Sequence, residues 1–171
     1  MTDKEAMNPA AVVIAGAGPV GLATAIALAQ AGVPVRVYDA RERARAAAAP
    51  RALALSHGSR LILERLDLWR ALAATPITRI EVSQQGGFGR ARIDAGEQRV
   101  DALGHVVRLG AVTAAFTEAA LARSIPVAFG CKVESSANAG GGLRVRTGDV
   151  ECDAALLVHA EGTPTARAAA V

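Results

Sequence analysis

Residues 11–39 read AVVIAGAGPVGLATAIALAQAGVPVRVYD, and this stretch decides the fold. Residues 11–15 are a short apolar run of the buried-strand kind. GAGPVG follows at 16–21, and then LATAIALAQAG, which holds no helix breaker before Gly32. That is the pattern of a helix closed by a C-cap glycine. Pro34 comes next, and VPVRVYDA sets Val33, Val35 and Val37 alternately against polar or aromatic neighbours, the period of a strand. The whole reads strand, glycine turn, helix, strand: a βαβ unit.

Gly16, Gly18 and Gly21 spell GxGxxG, and Asp39 closes the second strand about 20 residues further on. A lone GxGxxG is a weak signal, but here strand, turn, helix and acidic residue agree in order and spacing. Gly16 permits the tight turn out of the strand. Gly18 lets a pyrophosphate approach the backbone, and Gly21 with Ala25 lets the helix lie close to the sheet. The helix start at Pro19 and Val20 offers unpaired amides and a partial positive charge to phosphates. Asp39 is suited to accept hydrogen bonds from a ribose, and its charge disfavours a 2′-phosphate. The competing reading is an ordinary glycine-rich turn. The motif alone does not choose between FAD and NAD.

Composition sets the bounds. The chain has 171 residues, 51% hydrophobic and 20% charged, and 40 of them are alanine. Alanine buries little area, so the core is thinner than the percentage implies. This length suits one domain or part of one. A wholly disordered chain is excluded by the modest charge and high apolar content. Two cysteines, Cys131 and Cys152, form neither a zinc spacing nor a redox pair, and two ordinary thiols are expected. No uninterrupted apolar run reaches the ~18–20 residues of a membrane span. The start lacks the pattern of a signal peptide, so a cytoplasmic protein is expected. The net charge of +3 comes from 17 arginines against 2 lysines. It raises nucleic-acid binding, but 3% aromatics and no nucleic-acid motif argue against that partner.

Further along, RERARAAAAP at 41–50 reads as a short helix or a loop. Apolar residues from Leu53 to Leu72 recur at helical spacing, with Leu61, Ile62, Arg65, Leu66 and Trp69 on one face and Ser56 or Ser59 as N-cap. Thr75-Pro76 is expected to end that helix. ITRIEVSQ and RARIDA around GGFG read as a hairpin, GHVVRLG as a strand and 110–123 as a helix. IPVAFGCKVES, GLRVRTG and VECDAALLVHA complete a β-meander, with NAGGG as the clearest hairpin loop.

These segments taken in order (the dinucleotide stretch, PRALALSHGSRLILERLDLW, ITRIEVSQQGGFGRARI, LGHVVRLGAVTAAF and LLVHAEG) resemble class A FAD-dependent aromatic hydroxylases. RALALSHGS and SQQGGFGR are most similar to the ubiquinone-biosynthesis hydroxylases of the UbiH/UbiF/VisC type. The resemblance runs from about residue 11 to 163. It implies an α/β fold, a Rossmann-like FAD-binding domain of the glutathione-reductase type with a β-meander and part of a substrate-side β-sheet. The implied divisions are a tail at 1–10, the FAD-binding βαβ and following helix at 11–75, and a substrate-side hairpin and strand at 76–108. The return helix and meander follow at 109–171.

The resemblance also implies residue roles. Gly16, Gly18, Pro19, Val20 and Gly21 would hold the FAD pyrophosphate and Asp39 the adenosine ribose. Arg51 matches an arginine that reaches the flavin side, and Arg108 a polar residue lying along the cofactor. Val133 matches a position near the adenine, and Glu161-Gly162 stands where the family has Asp-Gly. A second Gly-Asp segment and the C-terminal elements that close the substrate pocket have no counterpart before Val171, so the chain resembles the first half of such an enzyme. The implied activity is hydroxylation of a phenol ring, polyprenylated and lipid-soluble in this branch, with NAD(P)H and O₂ as co-substrates. Peripheral attachment to the inner membrane and homo-oligomerisation belong to the same expectation.

No nucleophilic triad is required, and none is visible. His57, His105 and His159 have no metal-ligand spacing, and no metal site is expected. His159 reads as a half-buried strand residue. Arg41, Arg43 and Arg45 read as a solvated charged loop, and Glu64, Asp67 and Glu118 as surface charges. Gln84, Gln85 and Phe88 are candidates to face the flavin or the pocket. The rival classes are the nucleotide-binding domain of an NAD-dependent dehydrogenase or reductase, and a catalytically inactive nucleotide-binding module.

Overall fold

The computed structural model describes residues 12–83, 89–140, 142–148 and 150–162. Its centre is a four-stranded parallel sheet in which strand 156–159 lies beside 12–15, then 35–39, then 127–129. These strands are β1 (Val12–Ala15), β2 (Val35–Asp39), β8 (Val127–Phe129) and β12 (Leu156–His159). Both faces of β1 are buried, which accounts for its unbroken apolar run. Val12 and Ile14 face two helices, α1 (Pro19–Gln30) and α4 (Leu109–Ala122). Val13 and Ala15 face a three-stranded antiparallel layer of β9 (Val133–Ala139), β10 (Gly142–Thr147) and β11 (Val150–Ala154). The molecule is thus layered helix, parallel sheet, meander, and this is the expected α/β class.

Alanine content suits this packing. Gly21, Leu22, Ala25 and Ile26 make the buried side of α1, and the helix packs along α4. Phe116 fills the middle of that interface, with Val112 and Ala120 a turn to either side. A short helix, α2 (Arg43–Ala47), packs on α4, and the exposed Arg43 pairs with Glu118.

The structure corrects the reading of 53–76. Ala52–Leu55 is a strand, β3, antiparallel to β7 (Gly104–Arg108), with Leu53 opposite Val107 and Leu55 opposite His105. The alternation of Leu53 and Leu55 is therefore strand period, and the helix α3 covers only His57–Arg65, capped by Ser56 whose side chain accepts from the Ser59 amide. Leu63 and Leu66 supply its buried contacts, while Leu61 and Ile62 point outward. A 3-10 turn at Trp69–Ala71 follows, and Thr75–Ile77 is β4, on the other side of β7. Here the ladder with β7 overrides the helical spacing. Trp69 stands edge-on to the buried His105 at 4.9 Å, and the Arg60 guanidinium lies over its ring.

The hairpin strands are β5 (Arg79–Ser83) and β6 (Arg90–Asp94). They pair only with each other among the described residues. Gln84, Gln85 and Phe88 lie outside the described residues. One hairpin face carries Arg79, Glu81, Arg92 and Asp94, with Asp94 accepting from both arginines. The other carries Ile80, Val82, Ala91 and Ile93, and Val82 is 58% exposed. A second apolar surface joins Val20, 71% exposed, to Ile62 on α3. Two such surfaces are unusual on a monomer. The isolated 171-residue chain is expected to self-associate, and a concentration-independent monomer in sedimentation velocity would contradict this.

Candidate functional site

The parallel sheet ends at its carboxyl edge in a cluster built from three chain segments. The Gly16 amide donates to the Tyr38 carbonyl at 2.7 Å, tying the turn after β1 to β2. The Ala160 amide donates to the Ala15 carbonyl at 2.7 Å, tying the segment after β12 to β1. Gly16 has φ +108, and a methyl group there would lie 2.5 Å from the Ala160 carbonyl oxygen and 2.9 Å from the Glu161 nitrogen. Gly16, Asp39 and Glu161-Gly162 therefore meet at one edge, where open α/β sheets place their ligands. β12 pairs with β1 in parallel, so this meeting requires the far end of the described chain.

The first intrahelical bond of α1 runs from the Leu22 amide to the Gly18 carbonyl, leaving the amides of Val20 and Gly21 ahead of it. Pro19 occupies the first turn, no side chain caps the helix, and no acidic residue stands in its first turn. A methyl group on Gly18 would meet nothing within 4 Å, so the backbone there is open to an approaching group. Gly21 differs: its α-carbon faces the Gly16 carbonyl, and the helix closes onto the turn.

Asp39 is buried, and its carboxylate is fully engaged. One oxygen accepts from the Ala17 amide at 2.7 Å and from Arg41 Nη2 at 2.7 Å. The other accepts from the Arg41 amide at 2.8 Å and from Arg41 Nε at 2.9 Å. Burial works to raise the Asp39 pKa, but the Arg41 guanidinium and the two backbone donors outweigh it and hold the carboxyl below its usual range. The arginine of the charged loop thus has a specific partner, which sequence reading took for solvated charge. A pair formed between the last residue of a strand and the loop two residues on has no periodicity to reveal it.

This pair has a pH consequence. The folded carboxyl titrates below its unfolded value of about 4, so the unfolded chain takes up the proton first as pH falls. The stabilisation is complete above that unfolded value and is lost as pH drops through the folded one. Urea midpoints measured at neutral pH and near pH 3 should fall less in Asp39→Asn than in the wild-type chain, and an equal fall would contradict the assignment.

The remaining candidates lie around this edge. Arg108 caps α4, which like α1 runs antiparallel to the sheet and so begins at the carboxyl edge. Arg51 is brought beside it, since Ala52 pairs with Arg108 and the Leu109 amide donates to the Arg51 carbonyl at 2.8 Å. Both side chains are exposed. Val133 opens β9 with its side chain buried against Val13 and Val145 in the meander core. The nearby Cys131 amide donates to the Asp39 carbonyl at 2.9 Å. Cys131 and the buried Cys152 are both free thiols. His159 is exposed rather than half-buried, with Nδ1 3.5 Å from Glu161 Oε2, because β12 is an edge strand at this end. Among the described residues no cluster of His, Cys, Asp and Glu could hold a metal ion, and no helix is long and apolar enough to cross a membrane.

A Gly-rich strand–helix turn, an acidic residue closing the next strand and a meander on the opposite face define a dinucleotide-binding fold. The chain belongs to the FAD binding domain family, whose pattern matches residues 9–169. Its cofactor is therefore FAD. None of the curated proteins matches this sequence. Among solved structures it is similar to p-nitrophenol 4-monooxygenase PnpA from Pseudomonas putida, at 22% identity and a TM-score of 0.72 over 90% of this chain and 41% of that one. The similarity extends to 2-methyl-3-hydroxypyridine-5-carboxylic acid oxygenase (18%, 0.70, over 86% and 38%). It extends also to Klebsiella pneumoniae HpxO complexed with FAD and uric acid (19%, 0.68, over 86% and 38%). The chain spans about two-fifths of the length of these proteins. The turn fits the cofactor's pyrophosphate: an uncapped helix start without acidic side chains, open on the Gly18 side.

Proposed function

We propose that this chain is the FAD-binding portion of a flavin-dependent monooxygenase that hydroxylates an aromatic ring. The observation that carries the reading is the meeting of the Gly16–Gly21 turn, Asp39 and Glu161 at one sheet edge, in a chain of the FAD binding domain family. Bound FAD supplies electron transfer from a nicotinamide donor and activation of dioxygen. The chain's own residues bind and orient it. Val20 and Gly21 offer amides to the pyrophosphate beside Pro19, and Gly18 leaves room for it. Asp39 takes the adenosine ribose, with Val133 near the adenine. Arg51 and Arg108, at the start of α4, place two cations along the cofactor toward its flavin end. Glu161 and Gly162 border the pyrophosphate from the far strand.

The resemblance of the RALALSHGS and SQQGGFGR segments supports the finer assignment. The substrate is then a polyprenylated phenol of ubiquinone synthesis, with NAD(P)H and O₂ consumed. A lipid-soluble substrate suits a cytoplasmic enzyme held peripherally at the inner membrane, and a homo-oligomer. A similar solved structure, of 2-methyl-3-hydroxypyridine-5-carboxylic acid oxygenase, is described as tetrameric.

The test is an absorption spectrum of the purified chain with and without FAD, followed by acid release of bound flavin. Stoichiometric flavin supports the reading. A colourless chain that binds NAD(H) instead moves it to the dehydrogenase class. Asp39→Ala is expected to weaken adenine-dinucleotide binding about tenfold or more, the scale of hydrogen bonds to a charged group. Arg41→Ala should not weaken it comparably, and equal losses in a titration would overturn the role given to Asp39.

A further inference from the structure

A carboxylate offers about four lone-pair positions, and all four of Asp39 are taken. Two of the donors belong to the fold. The Ala17 amide lies inside the glycine turn, and the Arg41 amide lies in the loop after β2, whose carbonyl accepts from the Gly130 amide at 3.0 Å. Neither can withdraw without undoing the edge of the sheet. The other two donors are on the Arg41 guanidinium, which ends a flexible side chain. Its side chain is 44% exposed, against 3% for Asp39. The guanidinium is thus the group between the carboxylate and solvent. Any hydroxyl that hydrogen-bonds to Asp39 has to arrive from that side and take a position the guanidinium now fills.

We infer that Arg41 occupies the ribose subsite of this chain and must swing away before a nucleotide's ribose diol can bond to Asp39. The inference rests on the proposed role of Asp39 toward FAD. It makes Arg41 the residue that sets affinity for the adenosine half of the ligand. A planar guanidinium presents two parallel donors to the two carboxylate oxygens, the same bidentate demand that vicinal hydroxyls make. The two groups therefore compete for one site. The pair is partly exposed, so displacing it costs little, and the expected effect is modest. Once displaced, the cation remains at the sheet edge, free to turn to solvent.

The experiment titrates FAD, ADP and FMN into the wild-type chain, Arg41→Ala and Arg41→Gln, following flavin fluorescence and, for ADP, heat. Circular dichroism establishes that each variant is folded, and the glutamine variant keeps most of the side-chain bulk should alanine destabilise the loop. FMN lacks the adenosine half. Both substitutions should tighten FAD and ADP about two- to tenfold and leave FMN unchanged. Unchanged or weaker FAD and ADP binding in both variants would overturn the inference, since Arg41 would then be a bystander or a ligand. Equal tightening of FMN would overturn it too, because the effect would not be at the ribose. If the folded wild-type chain binds neither FAD nor ADP but Arg41→Gln binds both, the inference stands in its strongest form. If no variant binds either, the FAD reading fails and Arg41 guards nothing. Loss on Asp39→Ala without gain on Arg41→Gln would sink the inference alone and leave the FAD reading intact.

Discussion

Gly21→Ala should destabilise the chain by about 3 kcal/mol or more and abolish FAD binding. The added methyl group would overlap the Gly16 carbonyl oxygen, with the Gly16 carbonyl carbon at 3.1 Å and the Ala160 β-carbon at 3.3 Å. Two of these neighbours are backbone atoms. Overpacking usually costs about 1–3 kcal/mol, and the high end applies where backbone must move. Gly16 cannot yield easily, since it holds φ +108 and abuts the Ala160 carbonyl. The displaced element would be the start of α1, where the phosphate amides lie. Thermal unfolding by circular dichroism should show a midpoint lower by about 6–12 °C. Gly18→Ala is the companion measurement. Its methyl group meets nothing within 4 Å, and its backbone (φ −80, ψ 177) suits any residue. That variant should melt near the wild-type temperature yet bind FAD more weakly, because the methyl stands where the pyrophosphate approaches. Equal melting of Gly21→Ala and wild type would refute the packing argument.

Phe116→Ala should cost about 3–5 kcal/mol, the range for removing a buried aromatic side chain. Phe116 is 1% exposed and heads the largest fully buried side chains among the described residues. It sits between α1 and α4 and against the β3–α3 surface, near Leu53, Leu63 and Leu66. A chain with 40 alanines and only 3 phenylalanines has few groups able to take over that volume. The loss is a large fraction of the 5–15 kcal/mol that typically separates folded from unfolded chains. Denaturant unfolding monitored by circular dichroism gives the figure, and a loss under about 1 kcal/mol would mean the interface collapses around the gap.

The βαβ unit was legible because its signals are local and redundant. Gly16, Gly18, Gly21, Gly32 and Asp39 each punctuate a short window, and the windows agree. The strand at Ala52–Leu55 was not, since four residues rich in Ala and Leu satisfy helical and strand periods alike, and only the partner β7 decides. The outward turn of Leu61 and Ile62 was likewise hidden, because apolar type does not reveal which face has a neighbour. His105 is buried with its Nδ1 unpartnered among the described residues, a fact that depends on Trp69 folding over it. At the site, the glycines and Asp39 were read from spacing. The contact of Gly16 with Glu161 was not readable, because it exists only once β12 has joined β1. The Asp39–Arg41 pair lay in a stretch whose five closely spaced arginines look interchangeable until one of them is seen to have a partner.

The pairing of β12 with β1 has a consequence in time. Residue 12 lies beside residue 156, and β2 lies beside β8 rather than the strand that follows it. A ribosome releases β1, α1 and β2 early, yet the first of these strands waits for nearly the whole described chain before its second edge is satisfied. Topologies of such high contact order fold slowly, because the long loop must close before its contacts repay the lost entropy. During that wait the apolar edge of β1 is open to other chains. Refolding from denaturant should therefore be slow and lose yield as protein concentration rises.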